Sequence, residues 1–115
     1  MDGPSAILGT IDLPAQSSPA GILVHGDRAY TANTAVDPVY YSYGPPTISV
    51  IDTATDTIVD ADNDPGNGDD TPVSISGVNP QDLAIDAEGN LWVACTGDWV
   101  STPGEVDVVD TLTLT

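Results

Sequence analysis

The densest group of potential metal ligands in the chain is the run Asp60-Ala-Asp-Asn-Asp-Pro-Gly-Asn-Gly-Asp-Asp70. Asp60, Asp62 and Asp64 match the opening D-x-[DN]-x-[DN] of a calcium loop, in which alternate side-chain oxygens converge on one hard cation. The match then fails, because Pro65 stands where the loop needs glycine and Thr71 stands where a bidentate glutamate belongs. Asp69 and Asp70 supply carboxylates for a different geometry. Calcium held by Asp60, Asp62, Asp64 and Asp69 is one expectation. A solvated acidic turn with no cation is the other.

A second chemistry is suggested by aromatic residues in segments rich in turn formers. Ala35-Val-Asp-Pro-Val-Tyr-Tyr-Ser-Tyr-Gly-Pro-Pro46 gathers Tyr40, Tyr41 and Tyr43, and Gly97-Asp-Trp-Val-Ser-Thr-Pro103 carries Trp99. Aromatic faces stack on sugars and other flat apolar ligands, and Asp37 and Asp98 add hydrogen-bond acceptors. The same rings can instead pack on one another or across subunits, stiffened by proline. Catalytic groups are sparse. His25 is the sole histidine, so one subunit cannot build a histidine-rich metal site. A Ser-His-Asp arrangement would need Ser42 or Ser101 beside His25, which stands in a different turn. Cys95, inside Leu91-Trp-Val-Ala-Cys95, reads as a small buried strand residue rather than a reactive thiol.

Composition narrows the partners further. The chain has 115 residues, one Arg, no Lys and 18 acidic residues, for a net charge of -17. Nucleic acid and anionic membranes are excluded as partners, since phosphate binding needs cations that displace counterions. Such an acidic surface suits a salty environment or divalent cations, and the two are compatible. No apolar run of membrane-spanning length occurs, and Met1-Asp2-Gly3-Pro4 lacks a basic leader start. The expectation is a soluble chain, extracellular or surface-associated if a leader was removed. Compartment is otherwise unknown.

These residues need a scaffold, and the chain repeats itself to make one. Pro19 aligns with Pro80, Tyr30 with Trp92 and Asp52 with Asp110, with spacings that vary as loop lengths differ. In the first copy, 21–24, 28–34, 47–52 and 57–60 read as strands a, b, c and d. In the second, 82–85, 90–96 and 105–110 read as a, b and c. Ile48-Ser-Val50 and Val106-Asp-Val108 alternate as half-buried strands require. His25-Gly-Asp27 and Asp86-Ala-Glu-Gly89 carry hairpin-turn residues. With Gly and Pro at short intervals and no helical periodicity, the chain reads as all-β.

Tyr30-Thr-Ala-Asn33 and Ser49-Val-Ile-Asp-Thr-Ala-Thr55, with the looser Leu91-Trp-Val-Ala94 and Asp107-Val-Val-Asp-Thr111, resemble the YVTN-type β-propeller repeat. The resemblance covers nearly the whole chain and implies four-stranded propeller blades, two per chain. It implies little about function, because propellers host unrelated activities. Residues 1–18 would complete a neighbouring blade, 19–79 form the first blade with its acidic loop, and 80–115 form a second blade lacking its last strand. A closed propeller needs roughly four to eight blades. The expectation is therefore a homo-oligomeric ring closed by the strand-like 6–13 segment, a six-bladed trimer before an eight-bladed tetramer. A longer propeller of which this is a part is the alternative.

The function expected first is a non-catalytic scaffold that binds a glycan, small molecule or protein on the face of the b–c and d–a loops. A purely structural assembly comes second, and a hydrolase or lyase with an interface site last.

Overall fold

A computed structural model describes residues 9–14, 17–37, 39–40, 42–61, 71–98 and 100–114. Among these residues the chain is all-β, without a helix, and forms two sheets of antiparallel strands. The first sheet runs β1 (Pro19–His25), β2 (Arg28–Asn33), β3 (Thr47–Asp52) and β4 (Thr57–Val59), each beside its sequence neighbour. A two-residue strand, β5 (Val73–Ser74), also pairs with β3. The second sheet is the three-stranded meander β6 (Pro80–Ile85), β7 (Asn90–Cys95) and β8 (Glu105–Asp110). No helix of the described residues is long and apolar enough to cross a membrane.

The strands of the two repeats fall where the sequence places them, except for β5, and residues 9–13 of the strand-like 6–13 segment form no strand within the chain. Along β3, Val50, Ile51 and Asp52 pair with β4, while Thr47 and Ile48 pair with β5. The two short strands therefore share one edge as two halves of a fourth strand. The acidic segment is an excursion between the halves, where a simple loop between strands d and a was expected. Its neck is closed by the Ala61 N–H, which donates to the Thr71 carbonyl at 3.0 Å.

The two sheets share local devices, not only strand order. Ser18 and Asn79 both have positive φ just before the first strand, 52° and 59°. The Ser18 carbonyl accepts from Thr34 N–H as the Asn79 carbonyl accepts from Thr96 N–H. Ala35 and Gly97 share positive φ after the middle strand, and Asp56 and Leu114 share it after the third. Both first strands carry an irregularity after their proline, at Pro19/Gly21 and at Pro80/Asp82. Non-glycine residues at positive φ are uncommon, so this matched placement marks true structural repeats.

Register assigns the faces. In the first sheet Leu23, Tyr30, Val50 and Val59 lie abreast, beside the row Gly21, Ala32, Ile48 and Val73. In the second, Leu83 and Val93 lie abreast, and Ile85, Leu91 and Val109 form the next row. Residues of these rows form one core, with Tyr30, Ala32, Ile48, Val50, Val73, Leu83, Leu91, Val93 and Val109 all buried. Each large apolar side chain sealed there contributes on the order of 1.5–3 kcal/mol. The first strands of the two sheets, β1 and β6, meet closely. A Cβ on Gly21 would lie 2.6 Å from the Gln81 carbonyl oxygen, so only glycine permits the approach. At the hairpin end the Arg28 guanidinium donates to the Thr111 carbonyl at 3.0 Å, linking the sheets.

The opposite face of the first sheet holds a buried polar network. Thr31 Oγ1 donates to Asn33 Oδ1, and Asn33 Nδ2 donates to Ser49 Oγ and Thr47 Oγ1 at 2.9 and 3.1 Å. Asn33 and Ser49 are fully buried, so leaving any of these groups unpaired would be costly. The matching positions of the second sheet are Val93, Cys95, Glu105 and Asp107. There the inter-sheet linker crosses over: Ser76 and Gly77 N–H donate to Asp107 Oδ2, and Ser76 Oγ donates to Glu105 at 2.6 Å. Burial works against the charge on Asp107, yet Gly77 N–H, the Glu105 side chain and Ser76 outweigh it and hold its carboxyl below the usual range.

Candidate functional site

The first aromatic loop, between β2 and β3, is a small hairpin. Val36 bridges Tyr43, Gly44 N–H donates to the Ala35 carbonyl at 2.8 Å, and Asp37 N–H donates to the Ser42 carbonyl at 2.7 Å. Asp37 Oδ1 accepts from the N–H groups of Val39 and Tyr40 at 2.8 and 3.2 Å, which caps the tip. This is the local side-chain-to-backbone bonding by which Asp favours turns. The result presents Tyr40 and Val39 to solvent, 79% and 71% exposed. Beside them is a cavity of about 450 Å³ whose lining includes Val36, Asp37, Ser42 and Tyr43.

The loop between β7 and β8 uses the same device more fully. Asp98 Oδ1 accepts from Val100, Ser101 and Thr102 N–H at 3.0, 2.9 and 2.8 Å. Those bonds, Thr102 foremost, hold the Asp98 carboxyl far below the usual carboxylate range. Gly97 sits at φ +81° against the Thr102 carbonyl, where a Cβ has no room. A separate cavity of about 510 Å³ is lined by Thr96, Val100, Ser101, Thr102 and Pro103.

The expected binding residues thus divide. Tyr40 and Tyr43 belong to the first hairpin, and Tyr41 and Trp99 lie outside the described residues. Asp37 and Asp98, expected as ligand acceptors, each commit Oδ1 to their own loop. Asp60 stands at the neck of the acidic excursion, while Asp62, Asp64 and Asp69 lie outside the described residues. No group of three His, Cys, Asp or Glu side chains suited to a metal occurs among the described residues.

Sequence reasoning missed how many aspartates serve turns. Asp52 Oδ1 accepts from Ala54 and Thr55 N–H, and Asp110 Oδ1 from Leu112 N–H. Asp86 Oδ1 accepts from Glu88 and Asn90 N–H, and Oδ2 from the Trp92 indole at 2.9 Å. That indole, with Asn90, lowers the Asp86 carboxyl to about 2. The signal was present as Asp at the first position of each turn. Cys95 is buried, as expected. Burial pushes its thiol up to about 11, with Asp107 and Glu105 adding to the shift, so it is a poor nucleophile.

At the opposite end of the strands is a third cavity, of about 410 Å³, that includes His25, Asp27, Arg28, Asp52 and Thr111. His25 and Arg28 face one another across the β1–β2 turn. No family model matches the chain, and no curated protein sequence matches it.

Proposed function

We propose that the chain is a two-blade β-propeller unit of the YVTN type that assembles into a homo-oligomeric ring, a trimer before a tetramer, and serves as a non-catalytic binding scaffold. Each sheet is one blade, and the β2–β3 and β7–β8 loops form the recognition face. The observation that carries the proposal is the first hairpin. A loop fixed by Asp37 holds Tyr40 in solvent beside a cavity, and a rigid exposed ring binds with little ordering cost. Glycans and protein segments are the ligand classes that suit a Tyr- and Trp-bearing face. Calcium on Asp60, Asp62, Asp64 and Asp69 is the metal part of the proposal. A larger thermal shift in calcium than in sodium of equal ionic strength, lost in Asp62→Asn/Asp64→Asn, would support it.

The test is an array of immobilised glycans and peptides probed with the wild-type chain and with Tyr40→Ala/Trp99→Ala. Binding to one ligand class that the double variant loses, with folding and oligomer mass unchanged, is the expected result. Equal profiles for both proteins would favour the purely structural assembly.

A further inference from the structure

We propose that the open face of the second sheet is a docking surface for a second copy of this chain, which seats Ile22 and Val24 against Ala84, Trp92 and Ala94. The proposal rests on the ring reading above and specifies the faces that make the ring.

Its template lies inside the chain. β1 and β2 pack against β6, bringing Leu23, Tyr30, Ala32 and Leu83 into one apolar cluster. The matched turns and strand irregularities set the correspondence between sheets. Leu23, Tyr30, Ala32, Ile48 and Val50 correspond to Ala84, Trp92, Ala94, Val106 and Val108, and Leu83 corresponds to Ile22. The first sheet's members of this contact are covered. Their counterparts in the second are not: Trp92 is 46%, Val106 60% and Val108 49% exposed, and Ala84 and Ala94 are exposed too. A groove of about 130 Å³ runs among Asp82, Leu83, Ala84, Trp92, Ala94 and Val106.

The other half of the contact is open along β1. Leu83 is 8% exposed, whereas Ile22, its counterpart in the first sheet, is 68% exposed and its face-mate Val24 65%. Within one chain the second sheet therefore leaves its half of the repeat contact in water, whereas the first sheet leaves open only the β1 edge at Ile22 and Val24, with Ala29, Thr31 and Ile51 of the same face buried. Repeating the internal contact between copies uses the open second-sheet face and the exposed β1 edge at once. The surfaces differ, so the contact is heterologous and propagates head to tail until it closes.

A second element joins at the sheet edge. Ser17 and Ser18 occupy the positions of Val78 and Asn79, judged by their matched bonds to Ala35 and Thr34 and to Gly97 and Thr96. Counting back, Asp12 and Leu13 correspond to Val73 and Ser74 of β5, which pair with Ile48 and Thr47. In the ring, Asp12 and Leu13 of one copy pair with Val106 and Glu105 of the next. The repeat is imperfect at one place: Gly21, where β1 touches β6, corresponds to Asp82. The contact between copies is accordingly wider at the first strand than the contact within the chain.

Val106→Glu puts a charge on the docking face, and Ile22→Glu puts one on its complement. Both side chains are exposed, so each variant keeps the monomer fold, checked by circular dichroism; Val108→Glu and Val24→Glu serve as a second pair. The expected result by native mass spectrometry is an assembled wild type, two variants each monomeric alone, and a 1:1 complex when they are mixed. That complex follows because each variant retains the face the other lacks. Ile22→Glu that still assembles alone while Val106→Glu does not would mean the second-sheet face meets itself, overturning the proposal. An assembled wild type with both variants also assembled would overturn the face assignment and leave the ring standing. A monomeric wild type would overturn both.

Discussion

Tyr30 and Trp92 hold the same position in the middle strand of their sheets, yet Tyr30 is 3% exposed and Trp92 46%. The pattern extends to the next strand, where Ile48 and Val50 are sealed and Val106 and Val108 are open. The composition of the two faces hardly differs, so residue type does not explain the contrast. Position does: the first sheet has the second against it, and among the described residues the second has nothing comparable on its far side. An apolar face maintained at equivalent positions without a cover is the mark of a docking surface.

The comparison is broken most directly by paired truncations. Ile48→Ala removes a fully buried side chain and should cost about 2–5 kcal/mol in chemical denaturation at any protein concentration. Val106→Ala, at the matching position, should cost within about 0.5 kcal/mol when the chain is dilute and more as concentration rises and the face is covered. Equal, concentration-independent losses would mean the two faces are equally buried within one chain.

A smaller effect separates the polar faces. Asn33→Ala strands the hydroxyls of Thr31, Thr47 and Ser49, for an expected loss of about 1–3 kcal/mol in the same denaturation measurement. Cys95→Ala, its counterpart, should cost less, because among the described residues the thiol's hydrogen bond is a long 3.8 Å contact with the Val93 carbonyl. Reversal of that order would show that the Ser76–Asp107 crossing depends on the sulfur.

The smallest expected effect is in acid. Asp86 and Asp98 have carboxyl values depressed in the folded state, to about 2 for Asp86. A depressed carboxylate stabilises the fold fully above its unfolded value and loses that contribution as pH falls through the folded value. The window for Asp86 therefore runs from about pH 4 down to about pH 2. Asp98, with its value depressed too, loses its contribution on the way into strong acid. Acidification also relieves the repulsion of a -17 chain, which acts in the opposite sense. Thermal melts of wild type against Asp86→Asn/Asp98→Asn isolate the turn contribution. The difference between them should shrink as pH falls from 4 to 2, and a constant difference would remove the carboxylates from the account.

The strands were legible because each alternates between punctuating turns, as Ile48-Ser-Val50 and Val106-Asp-Val108 show. β5 was not, because two residues after Pro72 carry no period and pair only through the distant β3. Missing it hid the acidic segment's place inside a split edge strand. The aromatic loops were visible as loops. Their aspartates drew notice as ligand acceptors through their charge, and the part each Oδ1 plays in its own turn went unread. An Asp that opens a turn finds backbone N–H groups two or three residues on, and Asp37, Asp52, Asp86, Asp98 and Asp110 all do so. Alternation also gives two faces per strand without saying which is covered. That distinction emerges only from the packing of one sheet on the other.

On the docking proposal, the second sheet's open face belongs against another copy. The native mass of the unmodified chain in solution tests it most directly. One discrete closed species is expected at a whole multiple of the 11.8 kDa chain mass, three copies first and four second, dissociating on dilution without intermediate aggregates. A species at 11.8 kDa across the accessible concentration range, with Trp92 still exposed to a soluble quencher, would contradict it.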